Sequence, residues 1–98
     1  MNWHVYMIEC EDGSIYTGIA VDVLARFSAH VLGRGAKYTR AHKPVRILWQ
    51  QEYPDRSSAS RIEYRIKGLS AKEKRRLASG LLVESFEDLH RHCLGSSI

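Results

Sequence analysis

The sequence predicts a small α/β (α+β) domain in which a mainly antiparallel three-stranded sheet is flanked by helices, in the order β-β-α-β-α-α. Three observations predict it. Residues 3 to 10 and 14 to 19 are rich in β-branched and aromatic types and flank Glu11-Asp12-Gly13, a hairpin signal. Apolar residues then recur at helical spacing in segments opened by capping residues, the first and third of them stopped by Gly33 and Gly80. Between two of these segments, Val45 to Tyr53 reads as a third strand bounded by Pro44 and Pro54, which strands tolerate at ends or edges. A chain of 98 residues and 11.2 kDa holds one hydrophobic core and no second one, so any site must be built on that core.

The hairpin register follows from its pattern. A two-residue Asp12-Gly13 turn would set apolar residues of one strand beside polar residues of the other. A three-residue loop ending in Gly13 in the left-handed conformation pairs residue i with residue 24 − i and separates the faces. Trp3, Val5, Met7, Ile15 and Ile19 then form a single core face. His4, Tyr6, Ile8, Cys10, Ser14, Tyr16 and Gly18 form the more polar one. Next, Asp22 caps a helix of about ten residues with Leu24, Phe27 and Val31 as its buried stripe. Arg26 and His30, four apart, project from one flank beside that stripe. Residues 33 to 44 show no sustained period and read as a basic, mobile loop containing Tyr38.

After the third strand, Ser57 or Ser58 caps a helix with Ala59, Ile62, Ile66 and Leu69 on its apolar face, and Glu63 and Lys67 share an adjoining flank. Ser70 and Glu73 fit a capping box, so a short helix starts there and runs to about Ser79. A last, weak helix is expected over 85 to 93. The domain is therefore read as residues 1 to 94, with 95 to 98 a frayed tail.

Apolar residues at 44% and charged residues at 27% exclude a disordered chain. No apolar run approaches the roughly 18 to 20 residues of a membrane helix, and no basic segment with an apolar stretch opens the chain. A soluble, cytoplasmic protein without a membrane partner is expected. Cys10 and Cys93 lie in no CxxC pair and read as buried small hydrophobes, so no disulfide partner is implied, and the scattered histidines argue against a structural metal. Net charge is +4, and its placement is uneven: residues 34 to 76 hold thirteen of the fifteen Lys and Arg against four acids, a local +9. With a sequence pI near 9.3, that pattern suits a polyanion or, more plainly, a solvated surface.

The polar set Tyr6, Tyr16, Arg26, His30 and Glu63 comes from three different elements. His4-Val5-Tyr6, ten residues ahead of Tyr16-Thr17-Gly18, resembles the paired tripeptides that name the GIY-YIG nuclease superfamily. The tyrosines and Gly18 are kept, whereas His4, Val5 and Thr17 differ from the naming residues. The resemblance continues through Arg26, His30, Glu63, Ile66 and Lys67 and covers about residues 3 to 70. With Gly33 to Arg40 and the Glu63 to Leu69 segment included, it resembles the small stand-alone bacterial GIY-YIG proteins of the YhbQ type. Taken singly, each residue has a plainer explanation: aromatic packing for the tyrosines, a solvated helix flank for Arg26 and His30. Glu63 with Lys67 would be an i, i+4 ion pair worth about 0.3 to 0.5 kcal/mol. No single one of these accounts for their joint occurrence in order.

The resemblance implies phosphodiester hydrolysis in nucleic acid, DNA more than RNA, with one divalent ion, Mg²⁺ or Mn²⁺, held by Glu63 as the single metal carboxylate. It implies that Tyr6 acts near the attacking water as base or positioning partner, helped by Tyr16 or His30, and that Arg26 meets the phosphate. Lys67 is a second phosphate contact. The basic residues Arg34, Lys37, Arg40, Lys43, Arg61 and Arg65 would bind the backbone, with Tyr38 a stacking residue. No base-reading motif is present, which fits structure-selective or weakly specific cleavage. The same fold also suits a nucleic-acid-binding module without catalysis, or a protein-interaction domain whose basic surface serves solubility.

Overall fold

The computed structural model describes residues 2 to 80. Two strands, β1 (Trp3–Cys10) and β2 (Ile15–Ala20), lead into helix α1 (Val23–Val31) and a short helix α2 (Lys37–Ala41). Strand β3 (Pro44–Tyr53) and helices α3 (Arg56–Lys67) and α4 (Ala71–Ala78) follow. The sheet is antiparallel throughout in the order β2-β1-β3, so the first strand is central. The expected architecture is the observed one, with the short helix α2 added between α1 and β3. The helix expected over 85 to 93 and the tail from 95 lie outside the described residues. Among the described residues no helix is long and apolar enough to cross a membrane.

The hairpin adopts the register its alternation requires, from His4 opposite Ala20 to Glu9 opposite Ile15. Gly13 has φ 85°, the left-handed conformation that closes the three-residue loop, and the Gly13 amide donates to the Cys10 carbonyl at 2.9 Å. The consequence for the faces differs from expectation, because both are buried. Val5, Met7 and Ile15 pack with Ala59, Ile62, Ile66 and Leu77 of α3 and α4. Tyr6, Ile8 and Cys10, on the face expected to be the more polar, form a second cluster with Ala20, Val23 and Phe27 under α1, so the single core expected from chain length is corrected to two, one on each face of the sheet. A polar reading of that face failed because Ile8 and Cys10 flank the tyrosine and require a cover of their own.

Helix α1 starts where expected, with the Asp22 carboxylate accepting the Ala25 amide at 3.0 Å. At its end the Gly33 amide donates to the His30 carbonyl and the Arg34 amide to that of Ala29, a Schellman closure with Gly33 at φ 76°. Its predicted stripe holds only at Phe27, which is partly buried against the second cluster: Leu24 is 70% and Val31 50% exposed, and the helix buries Val23 and His30 in their place. The expected loop over 33 to 44 contains α2, too short to show a period. In α3 the cap is Asp55, which accepts the Ser58 amide at 2.7 Å, in place of Ser57 or Ser58. The Ser70 and Glu73 capping box of α4 forms in full.

The tip of the hairpin is tied to the rest of the chain. Glu9 is held by Arg46 at 2.7 Å and by Arg75, and the Arg75 guanidinium also donates to the Gly13 carbonyl at 2.6 Å. These two arginines bring the Glu9 carboxyl down to about 2. Asp12 accepts from Ser14 and from His42 at 2.6 Å each, and the Glu11 amide donates to the Lys43 carbonyl at 2.8 Å. The segment carrying α2 is thereby pinned to the β1–β2 turn.

Candidate active site

The site begins with Tyr6, which central strand β1 points into the second core. Its ring crosses the backbone of β2 at Gly18, where a Cβ would meet the Tyr6 hydroxyl at 2.6 Å and the ring carbon behind it at 2.8 Å. Gly18 is therefore required by the path of the phenol. The ring is 1% exposed, and its hydroxyl lies 2.9 Å from His30 Nε2. His30, 2% exposed, reaches it from the last turn of α1. Tyr16, on the neighbouring strand, completes the cluster with ring centroids 6.3 Å from Tyr6 and 5.0 Å from His30.

The far side of the imidazole is also engaged. His30 Nδ1 lies 2.6 Å from the hydroxyl of Thr39 on α2, and that hydroxyl donates to the Ala36 carbonyl at 3.0 Å. Gly35 lies directly against the ring, with a Cβ there meeting His30 Nδ1 at 2.1 Å and two further ring carbons at 2.7 Å. Neither Thr39 nor Gly35 was singled out from sequence. The only local signal is the Gly33-Arg34-Gly35 spacing, and Gly35 owes its identity to contact with a ring five residues earlier.

Two charges act on the cluster. Burial is the main cause that raises the Tyr6 phenol above its ordinary 10.0; Tyr16 adds to it, the Arg26 guanidinium opposes it and the Glu63 carboxylate raises it further. Burial, and then the Arg26 charge, hold His30 below its ordinary 6.5, so the imidazole is neutral at pH 7. Arg26 is exposed, has no ion pair among the described residues, and forms one wall of a shallow cavity of about 330 Å³ with Trp3, Ile19 and Ala25. Glu63 is 21% exposed, with Oε2 3.4 Å from Lys67 Nζ. Among the described residues no three His, Cys, Asp or Glu gather as metal ligands. A lone, partly exposed carboxylate fits a hydrated hard cation such as Mg²⁺, which keeps several waters, and does not fit a closed protein cage.

The geometry thus brings Tyr6, Tyr16 and His30 into contact and sets Arg26 and Glu63 within electrostatic reach of one phenol. A model of the GIY-YIG catalytic domain matches residues 2–76. The chain belongs to the GIY-YIG family. A UPF0213 protein of Cupriavidus necator is 47% identical over 79 residues, covering 81% of this chain and 86% of that relative. Another, from Xanthomonas axonopodis pv. citri, is 50% identical over 72 residues, 74% of this chain and 71% of its own. The solution NMR structure of the UPF0213 protein BH0048 from Bacillus halodurans, 46% identical, aligns with a TM-score of 0.51 over 81% of this chain and 84% of that one. A GIY-YIG catalytic domain is of nuclease type, and nucleic acid is the substrate class that goes with it.

Apart from Lys67, the residues expected to contact nucleic acid in this GIY-YIG domain fall into two groups. Arg34, Lys37, Tyr38, Arg40 and Lys43 lie on or beside α2, next to His30 and Tyr16. Arg61 and Arg65 sit two positions either side of Glu63 on α3, about 160° around the helix from it. Arg46 and Arg75, also in the basic stretch, are taken up by Glu9. The Tyr38 ring stacks on His42 at 4.2 Å and has Tyr16 at 5.9 Å, so protein rings already neighbour it.

Proposed function

We propose that this chain is a metal-dependent endonuclease that hydrolyses phosphodiester bonds in nucleic acid, DNA in preference to RNA, with structural or weak sequence selectivity. One observation carries the reading: the Tyr6 hydroxyl is hydrogen-bonded to a neutral His30 while the charges of Arg26 and Glu63 both act on it. Cleavage needs an activated water, a cation on the phosphate and relief of charge on the leaving oxygen. Tyr6, backed by His30 and flanked by Tyr16, orients the water and takes its proton. Arg26 offers a planar, permanently charged fork to the phosphate. Glu63 would hold Mg²⁺ or Mn²⁺, which when bound supplies charge stabilisation at the phosphate and leaving oxygen. Arg34, Lys37, Arg40, Lys43 and Lys67 contact flanking phosphates, and Arg61 and Arg65 meet a longer or bent substrate. Tyr38 stacks on a base only if His42 gives way.

Binding without catalysis is the second reading, and the burial that raises the Tyr6 phenol favours it. The experiment that separates the two is cleavage of labelled single-stranded, duplex, flapped and branched DNA and RNA, with and without Mg²⁺ or Mn²⁺, by wild type and Glu63→Gln. Metal-dependent cutting by wild type, lost in Glu63→Gln with binding retained, is the expected result. Salt-sensitive binding with no cutting of any substrate would leave the binding module.

A further inference from the structure

A phenol raised above its ordinary range is a poor place for a proton-accepting charge to rest, and the group behind Tyr6 answers that difficulty. The Tyr6 hydroxyl faces His30 Nε2, and His30 Nδ1 faces Thr39, both bonds buried. A hydroxyl has one proton to give. The Thr39 hydroxyl is placed to give its proton to the Ala36 carbonyl at 3.0 Å, and a carbonyl can only accept. The Thr39 oxygen therefore has lone pairs, and no proton, for His30 Nδ1 at 2.6 Å. The competing arrangement puts the proton on Nε2, so that the Thr39 hydroxyl must turn from the Ala36 carbonyl to donate to Nδ1, which also accepts from the Ala36 amide, whose nitrogen is 3.4 Å away. Only the Nδ1–H tautomer keeps the 2.6 Å bond between His30 and Thr39 together with the 3.0 Å bond from Thr39 to the Ala36 carbonyl.

We propose that Thr39 is a positioning residue, which holds His30 in the Nδ1–H tautomer so that the bare Nε2 accepts the Tyr6 hydroxyl proton. This rests on the nuclease reading for its catalytic consequence. As the attacking water loses a proton to the Tyr6 oxygen, the Tyr6 proton passes to Nε2. Hydroxide bonds to phosphorus as the scissile P–O bond breaks, the leaving oxygen takes a proton from solvent water, Tyr6 stays neutral, and His30, left as the imidazolium with its Nδ1–H still donated to Thr39, returns its extra proton to solvent. No free phenolate is formed; the charge passes to His30, where burial and Arg26 oppose it and the bond from Nδ1–H to Thr39 supports it, so the imidazolium is transient. Helix α2 gains a purpose as well, since it delivers Thr39 to the ring and is itself anchored through His42 to Asp12.

The test reads the tautomer directly, by long-range ¹H–¹⁵N correlation of the His30 ring in the full-length, ¹⁵N-labelled protein at neutral pH, with no substrate. Wild type is expected to carry the proton on Nδ1. Thr39→Val removes the acceptor at nearly constant volume and is expected to move the proton to Nε2, while kcat falls roughly 100-fold with KM little changed. Thr39→Ser is expected to restore both. A wild-type ring protonated at Nε2, or an unchanged tautomer in a folded Thr39→Val, overturns the proposal. Thr39→Ser that keeps the Nδ1–H form but not turnover overturns the link to catalysis. If wild type cuts nothing, the nuclease reading fails while the tautomer result still stands or falls alone.

Discussion

Gly35→Ala is the substitution from which the structure demands most. The added methyl lands 2.1 Å from His30 Nδ1, against ordinary carbon contacts of about 3.5 to 4.0 Å, so the ring must retreat by more than 1 Å or the segment carrying α2 must swing out. Either movement breaks the same bonds, Tyr6 to His30 at 2.9 Å and His30 to Thr39 at 2.6 Å. Two buried hydrogen bonds at about 1 kcal/mol each, with about 1 kcal/mol of overpacking, give a loss near 3 kcal/mol. At about 4 to 8 °C per kcal/mol for a domain of this size, Tm falls by roughly 12 to 24 °C. Gly33→Ala is the control. It sits at φ 76° with nothing within 4 Å of a Cβ, so it incurs only left-handed strain of about 1 kcal/mol and leaves the His30 ring unmoved. Thermal unfolding by circular dichroism ranks the two, and the His30 ring resonances show which one disturbs the site. A Gly35→Ala protein melting within about 2 °C of wild type would refute the packing argument.

Three further outcomes are expected. Arg26→Ala abolishes cleavage, yet its melting curve stays within about 0.5 kcal/mol of wild type because the side chain is exposed and without an ion pair among the described residues; wild-type rates in this variant would remove Arg26 from the mechanism. Glu9, lowered to about 2 from an ordinary 4.5 by Arg46 and then Arg75, stabilises the fold above its unfolded value, and that contribution is lost as pH falls from about 4.5 toward 2. Glu9→Gln therefore flattens the acid limb of a stability-against-pH curve in that window, and an unchanged limb would contradict the assignment. Replacing Lys37 and Arg40 by alanine reduces the log–log salt slope of nucleic-acid binding by about 2, one per phosphate contact, whereas Arg61 and Arg65, about 160° around α3 from Glu63, change it less. Equal slopes for the two double variants would erase the division between the basic groups.

What the sequence determined by itself was local in origin. The strand alternation and the Gly13 loop specified the register between Trp3–Cys10 and Ile15–Ala20, because a one-residue slip would turn every side chain to the wrong face. Asp22, the Ser70 and Glu73 box, Gly33 and Gly80 marked helix ends through bonds that span three to five residues. The order of Tyr6, Tyr16, Arg26, His30 and Glu63 along the chain was enough to expose the family resemblance. Tertiary structure decided what those residues touch. Helix α1 could have buried Leu24 and Val31; it turns His30 inward because Tyr6 and Thr39 satisfy both ring nitrogens there, so a polar group enters the core without leaving a bond unmade. Gly35 and Thr39 carried no periodic signal because their importance lies in contact with a ring on another helix. A sheet covered on both faces, with the tyrosine hydroxyl closed off by an imidazole, exists only once α1 and α2 have packed, and that closure decides which group behind Tyr6 is available to a proton.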